Sequence, residues 1–287
     1  MTLLDKFDAI EIQNDTRISD GDREYCKSQQ TAYITAKSDL EKLKEFWQSI
    51  SEHQSAFLTE SDYGSSVYLS GLSLSESKIN DQICSLHSKF IEQITRYFNN
   101  TYSISVSQYE ISKALLPQKP DFGWYSYNAE EYERYENELL SLTLKYEDIV
   151  ERIFEQTDGN GLWEQALYEL KEKCHSAAWR YGSPKYERKK NVVQFSNSSY
   201  GDWELCEGMK NILRGIIHYE TGNFTIIPAD FNTFFARGRQ YTDTFEFPCR
   251  TKISKIRIFK NGRVDLKFTD ESSAVTFIEE YLGTVKS

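Results

Sequence analysis

The carboxylates and lysines near the middle of the chain come closest to a catalytic pattern. Asp158 is followed by Glu169-Leu170-Lys171, which loosely resembles the Asp and Glu-x-Lys arrangement of metal-dependent nucleases. That arrangement needs the first acid on one strand and the Glu-x-Lys segment on the next. Because Glu169 and Lys171 fall in a helical pattern, we expect no catalytic site here, and a metal nuclease remains only a third hypothesis.

Cysteine and histidine offer two candidate metal sites. Cys84 with His87 and Cys174 with His175 place ligand types together, but a structural zinc site needs four ligands, and neither pair has a second pair at zinc spacing. The five cysteines include no Cys-x-x-Cys pair, so we interpret them as free, mostly buried thiols. His218 has apolar neighbours and is interpreted as a hydrogen-bonded core side chain. We expect no metal and no cofactor.

The familiar catalytic motifs do not occur in the sequence. It contains no glycine-rich phosphate loop, no HExxH, no GxSxG, no kinase signature and no methyltransferase Asp/Asn-Pro-Pro-Tyr/Phe segment. We therefore predict that the protein is not an enzyme. No run of about 18 apolar residues is present, and the first residues lack a signal-peptide pattern. The sequence thus predicts a cytoplasmic protein without a membrane partner.

Charge is distributed unevenly along the chain. Residues 1–157 carry 15 Lys and Arg against 27 Asp and Glu, whereas residues 158–287 carry 19 against 17. An acidic front half repels nucleic acid, since phosphate binding needs clustered cations, so we do not expect direct nucleic-acid binding. The same charge would complement a basic protein surface. Ordinary solvated helix faces are the alternative interpretation.

Candidate partner-binding residues follow from tyrosine content and charge. Tyrosine is enriched at protein interfaces, and an aromatic segment at 121–127 precedes an acidic helix for which Asn128 is the predicted N-cap. A basic loop at 186–190 and two later arginines form the main cationic group. The predicted contact residues are Tyr125, Glu131, Tyr132, Tyr135, Lys189, Arg237 and Arg239.

The spacing of apolar residues predicts the elements that must position these side chains. In the front half it favours helices over 24–50, 76–98 and 107–116, and one long acidic helix from Asn128 to Ile153. The segment Asp158 to Gly161 breaks that helix. We therefore predict an acidic helical domain over 1–157 and an α+β domain over 158–287.

The back half alternates helical and strand patterns. Helices are predicted over 162–179 and 203–219, and strands over 191–195, 225–227 and 242–247. The chain then forms a ββα unit, with alternating strands at 255–259 and 263–268, an Asn261-Gly262 type I′ turn, and a helix that ends at Gly283. The predicted fold class is α+β, with long helices in the N-terminal half and a mixed C-terminal half ending in this ββα unit.

Part of the back half resembles an uncharacterised domain family of phages and mobile elements. The resemblance rests on residues 162–167 (LWEQAL), 178–181 (AWRY), 191–195 (NVVQF) and 258–268 (IFKNGRVDLKF). Some members of that family occur beside methyltransferases or carry that name. The resemblance covers roughly residues 160–282 and does not extend to the front half.

In size, acidity and architecture the chain is also similar to phage anti-defence proteins that inhibit the Gabija nuclease–helicase system. That resemblance implies a non-enzymatic protein that forms homo-oligomers around its target in the host cytoplasm and blocks the target's access to DNA. It defines no catalytic residues. The alternative function is a nucleic-acid-binding or methyltransferase-accessory module that uses the basic loop with Arg237 and Arg239.

Overall fold

The computed structural model describes residues 17–55, 74–120, 128–196, 198–200, 204–224, 244–247 and 250–283. The chain divides into two compact units: a helical unit of residues 1–99 and 106–161, and a mixed unit of residues 100–105 and 162–287. Helices make up the described elements of the first unit, while the second combines helices with antiparallel sheets. The predicted α+β fold class with a helical N-terminal half is confirmed.

The described part of the helical unit contains two long helices, which three shorter ones follow. Their apolar stripes point inward, so that Ile79, Ile83, Phe90, Ile91 and Ile94 on the second helix are almost completely buried. The helices predicted near 24–50, 76–98 and 107–116 are confirmed. The helices are α1 (Asp20–Ser55), α2 (Glu76–Tyr102), α3 (Gln108–Leu115), α4 (Ala129–Ser141) and α5 (Tyr146–Gln156).

The single long helix predicted from Asn128 to Ile153 is wrong, because the chain turns between α4 and α5. Leu142 is extended, with φ −63° and ψ 139°. Helix α1 satisfies backbone groups of this turn: the Leu144 N–H donates to Tyr33 Oη at 3.2 Å, and the Tyr146 N–H donates to Gln30 Oε1 at 2.7 Å. These distant side chains replace helical hydrogen bonds, so the local pattern did not reveal the break.

In its described residues, the mixed unit combines three α-helices with short strands. The helices are α6 (Leu162–Ala178), α7 (Glu207–Thr221) and α8 (Glu271–Phe277), the last continued by a π-helical turn, Ile278–Leu282. The strands are β1 (Trp179–Arg180), β2 (Ser183–Pro184), β3 (Tyr186–Lys189), β4 (Val192–Phe195), β5 (Ser199–Tyr200), β6 (Glu204–Leu205), β7 (Thr244–Glu246), β8 (Ile253–Ile258) and β9 (Val264–Phe268).

Five of these strands form one antiparallel sheet in the order β3-β4-β9-β8-β7. Alternate side chains on β4, β8 and β9 are buried, and Phe268 packs against Phe277 of α8 with ring centroids 5.5 Å apart. Strand β4 confirms the prediction at 191–195, and β7 lies within the strand predicted at 242–247. The predicted basic loop at 186–190 is wrong, since residues 186–189 pair with β4 as strand β3.

The hairpin between β8 and β9 differs from its predicted turn. A type I′ turn needs positive φ at both central residues, but Gly262, with φ 81°, is the only residue of the described turn that has it. The Gly262 N–H donates to Phe259 O at 3.0 Å and the Phe259 N–H to Arg263 O at 2.8 Å. The connection is thus a three-residue loop in which glycine supplies the left-handed position.

Helices α6 and α7 pack closely because small residues face each other. A Cβ atom on Gly215 would lie 2.6 Å from Cys174 Sγ, and one on Gly208 would lie 3.4 Å from the Ala177 Cβ. The Cys174 thiol donates to Asn211 O at 3.3 Å. Glycine at position 215 therefore permits an approach that a larger side chain would block.

The boundary predicted between residues 157 and 158 falls in the turn after α5. The next helix, α6, begins at Leu162. Across the ranges that the structure describes, no helix combines the length and apolarity needed to cross a membrane.

Candidate partner-binding surface

Helix α4 carries three of the predicted contact residues, Glu131, Tyr132 and Tyr135. The predicted N-cap is confirmed: Asn128 Oδ1 accepts from the Glu130 N–H at 3.1 Å and from the Glu131 N–H at 3.4 Å. Carboxylates in the first turn also interact favourably with the positive end of the helix dipole. The sequence therefore fixes the start of this helix locally.

The two tyrosines lie on the half-buried side of α4. Their ring centroids are 6.0 Å apart with an interplanar angle of 53°, and Leu139 anchors the same helix in the core. Glu136 Oε1 accepts from Asn80 Nδ2 of α2 at 3.4 Å. Burial raises the pKa of Tyr135, which keeps its phenol neutral. Tyr132 and Tyr135 thus support the helix and offer only part of each ring to a partner.

The opposite side of α4 is an exposed acidic face. Glu130, Glu133, Arg134 and Glu138 are all exposed, and they recur at the spacing of one helix face. Within the described part of the chain, no carboxylate of α4 forms a salt bridge. We define the acidic face as Glu130, Glu131, Glu133 and Glu138. Of these four, only Glu131 was predicted as a contact residue, although Glu130 and Glu133 are three residues apart and Glu131 and Glu138 are seven apart, which is the spacing of a helix face.

Of the remaining predicted contact residues, the structure describes Lys189 alone. Lys189 lies on β3 of the mixed unit, exposed, with its Nζ 3.2 Å from Glu187 Oε2. Tyr125, Arg237 and Arg239 lie outside the described residues. The structure therefore groups Glu131, Tyr132 and Tyr135 on one helix and places Lys189 on another element.

The nuclease-like residues do not form the strand arrangement that metal nucleases need. Asp158 lies in the turn after α5, with φ 52°, and both Glu169 and Lys171 lie on helix α6. Partial burial raises the pKa of Glu169, but the hydrogen bonds that it accepts, first from Ser105, outweigh burial and hold the pKa below its usual value. Glu169 is therefore a structural acceptor.

Each histidine of the two Cys-His pairs uses at least one ring nitrogen in a hydrogen bond, both nitrogens in His87 and Nδ1 in His175. His87 is completely buried, with Nδ1 2.8 Å from Tyr33 Oη and Nε2 2.8 Å from Leu139 O. The His175 Nδ1–H donates to Leu282 O at 2.8 Å. The described residues contain no group of three potential metal ligands.

The cysteines of the described segments are free thiols, as predicted. Cys26 and Cys174 are buried, whereas Cys84 and Cys206 are partly exposed; Cys249 lies outside the described residues. Burial raises the pKa of Cys26 and of Cys174 to about 12 in each case. Both buried thiols therefore stay protonated and unreactive at neutral pH.

The interpretation of His218 as a hydrogen-bonded core side chain is confirmed. It is half-buried, and its Nδ1 lies 2.7 Å from Tyr281 Oη. Burial lowers the pKa of His218 and raises that of Tyr281, so the pair is neutral at pH 7.

No protein-family model, no curated protein and no solved structure matches this chain.

Proposed function

We propose that this protein acts by binding another protein, without catalysis, and that the acidic face of α4 is its main contact surface. The observation that carries this proposal is the set of exposed carboxylates at positions 130, 131, 133 and 138, which form no salt bridge with a described residue. Carboxylates on most exposed helices alternate with cations that offset them. Here Arg134 is the only cation between Ala129 and Ser141, so the face keeps a net negative charge.

Such a face favours a basic partner. Opposite charges speed diffusional encounter and orient the two surfaces, and they do so less at high salt because ions screen exposed charges. The Asn128 N-cap stabilises the start of the helix, and buried Leu139 anchors it in the core. Half-buried Tyr135, four residues after Glu131, adds apolar area at the edge of the face, and tyrosine at such positions contributes strongly to interfaces.

We propose further that the partner is a bacterial nuclease–helicase defence complex of the Gabija type. The resemblance to phage anti-defence proteins supports this choice, and so does electrostatics, because a DNA-binding surface is itself basic. An acidic face that covers such a surface would block DNA access. In this proposal the protein works in the host cytoplasm as a homo-oligomer around its target.

A pull-down with the purified complex tests the proposal. One variant changes the acidic face to glutamine (Glu130→Gln, Glu131→Gln, Glu133→Gln, Glu138→Gln). A matched control changes four other exposed acids of the helical unit that form no ion pair with a described residue (Glu24→Gln, Glu45→Gln, Glu110→Gln, Glu151→Gln). Both variants lose the same charge, so only position differs.

The wild-type chain and the control should retain the complex, while the acidic-face variant should lose about tenfold or more in affinity, which corresponds to about 1.4 kcal/mol. Equal loss in both variants would show that net charge matters and the face does not. Light scattering on the free chain tests whether it forms homo-oligomers. A strict monomer at all concentrations would contradict the proposed oligomer.

A further inference from the structure

The mixed unit contains a cavity that no part of the proposed protein-binding role uses. Its volume is about 340 Å³, which lies in the range of small-molecule sites. Helix α6 supplies Ala166, Leu170 and Lys173, which share one side of that helix, and α7 supplies Asn211 and Arg214. The cavity thus opens along the junction of two closely packed helices.

The polar wall of the cavity contains two cations, each paired with a glutamate; Lys173 Nζ lies 3.2 Å from Glu169 Oε2. Lys173 and Arg214 both line it, with Asn211 beside them, and no carboxylate is among the described lining residues. Arg214 Nη1 donates to Asn211 Oδ1 at 2.6 Å and to Glu207 Oε1 at 3.2 Å. The Arg214–Glu207 pair is exposed, with side-chain exposures of 45% and 69%, and such pairs are weak. An anion in the cavity would therefore compete with Glu207 for the guanidinium.

The apolar wall of the cavity is aromatic. Phe224, which lines the cavity, stacks on Trp163, with ring centroids 5.4 Å apart and an interplanar angle of 26°. His218 lies 4.3 Å from the same Phe224 ring. Trp163 is 51% exposed, which is unusual for so large an apolar side chain. The wall therefore offers flat ring surface beside the two cations.

Hydrogen bonds hold the segments that carry the polar wall in place. Glu169 accepts from the Ser105 N–H at 2.9 Å and from Lys173 Nζ at 3.2 Å, and so holds the segment containing Ser103, another lining residue, against α6. The Cys174 thiol bonds to Asn211 O between α6 and α7. A site supported in this way is formed before its ligand arrives.

We infer that this cavity binds a small organic anion that carries a planar ring, with the acid group between Lys173 and Arg214 and the ring against Phe224. Nucleoside monophosphates and aryl sulfonates share this chemistry. Ring stacking and charge-assisted hydrogen bonds would act on the two ends of one molecule, so neither end alone should bind as tightly as the whole.

Two probes test the inference on the full-length chain. Anilinonaphthalene sulfonate reports binding by its fluorescence, and adenosine monophosphate should displace it from a single saturable site. Adenosine, which lacks the anion, and inorganic phosphate, which lacks the ring, should each displace it at least about tenfold less well. Failure of both probes to bind saturably, or equal displacement by adenosine and its monophosphate, would overturn the inference.

Variants locate the site. Arg214→Gln and Lys173→Gln should each weaken probe binding about tenfold, and Phe224→Leu should weaken it at least about fivefold. Arg188→Gln is the matched control, because Arg188 is also exposed, also paired with a glutamate, and lies on β3. Circular dichroism checks that each variant folds. Binding that Arg214→Gln, Lys173→Gln and Phe224→Leu all leave unchanged would place the probe elsewhere and contradict the assignment.

Discussion

Each unit contains a histidine hydrogen-bonded to a tyrosine, but the two pairs differ in burial and in what they stabilise. In the helical unit, His87 is fully buried and its two ring nitrogens bond to Tyr33 and to Leu139 O. In the mixed unit, His218 is only half-buried and bonds to Tyr281 through one nitrogen. The first pair belongs to a polar network at the break between α4 and α5, while the second sits at the edge of an apolar core.

The difference shows how each unit is held together. Tyr33 Oη contacts His87 and also accepts the Leu144 N–H, so one hydroxyl fixes a turn that local sequence would have made helical. The mixed unit depends instead on close apolar packing of α6, α7, α8 and the sheet. Polar substitutions should therefore affect the helical unit most, and changes of side-chain volume should affect the mixed unit most.

The largest expected effect comes from volume in the mixed unit. Gly215→Ala places a Cβ 2.6 Å from the buried Cys174 Sγ and should lower the free energy of unfolding by about 2–3 kcal/mol, measured by urea denaturation. Cys174→Ala removes that sulfur, so the double variant should recover at least about 1 kcal/mol relative to additivity. Strict additivity would show that the contact is not the cause.

A smaller loss should follow from removing the hydroxyl in the helical unit. Tyr33→Phe leaves His87 Nδ1 and the Leu144 N–H without their buried partner, which should cost about 1–2 kcal/mol. Hydrogen exchange should increase most around Leu144. An unchanged exchange pattern there would contradict the role given to this network.

The corresponding change in the mixed unit should cost less. Tyr281→Phe removes the partner of His218, but water can reach this half-buried ring, so a loss of about 0.5–1 kcal/mol is expected. Urea denaturation of Tyr281→Phe and Tyr33→Phe compares the two losses in the free energy of unfolding. A larger loss for Tyr281→Phe than for Tyr33→Phe would reverse the contrast between the units.

Acid should destabilise the helical unit through His87. Burial lowers the pKa of His87 in the folded chain, whereas the unfolded chain takes up its proton near pH 6.5. Stability is therefore complete above about pH 6.5 and decreases as the pH falls toward the folded-state pKa. Hydrogen exchange in α1 and α2 at decreasing pH measures this loss of stability. His87→Gln should be less stable at neutral pH and should lack this part of the pH dependence; an unchanged dependence would rule out His87 as the source.

The acidic face should matter least for folding. Its side chains are exposed, so the variant that changes Glu130, Glu131, Glu133 and Glu138 to glutamine should shift the free energy of unfolding by no more than about 0.5–1 kcal/mol, mostly through weaker helix-dipole interaction at the first turn. Urea denaturation measures the change in the free energy of unfolding, with the variant of Glu24, Glu45, Glu110 and Glu151 as the control. A large loss of stability would mean that the face serves the fold rather than a partner.

Local patterns predicted much of this fold. The apolar stripe of α2 and the Asn128 cap of α4 were predictable because each signal lies in, or next to, the helix that it specifies. The break after α4 was not predictable in that way, because Gln30 and Tyr33 of α1 supply its hydrogen bonds. The β3 strand was also missed, since its residues are mostly exposed and charged, and its pairing with β4 decides its structure.

The candidate sites show the same difference between local signals and contacts that form only in the fold. Glu131, Tyr132 and Tyr135 were predictable because one helix carries them, and the other acids of that face share its spacing. The cavity lined by Lys173 and Arg214 was not predictable, because these residues lie on separate helices that meet only in the folded mixed unit. Sites built on one element can be found from sequence, whereas sites built between elements need the fold.

The most direct test of the central proposal is DNA cleavage by a purified Gabija-type nuclease–helicase complex with increasing amounts of this protein. The proposal predicts inhibition by the wild-type chain and by the control variant of Glu24, Glu45, Glu110 and Glu151. The acidic-face variant should inhibit about tenfold more weakly. Absence of inhibition by the wild-type chain, or equal inhibition by the acidic-face variant, would contradict it.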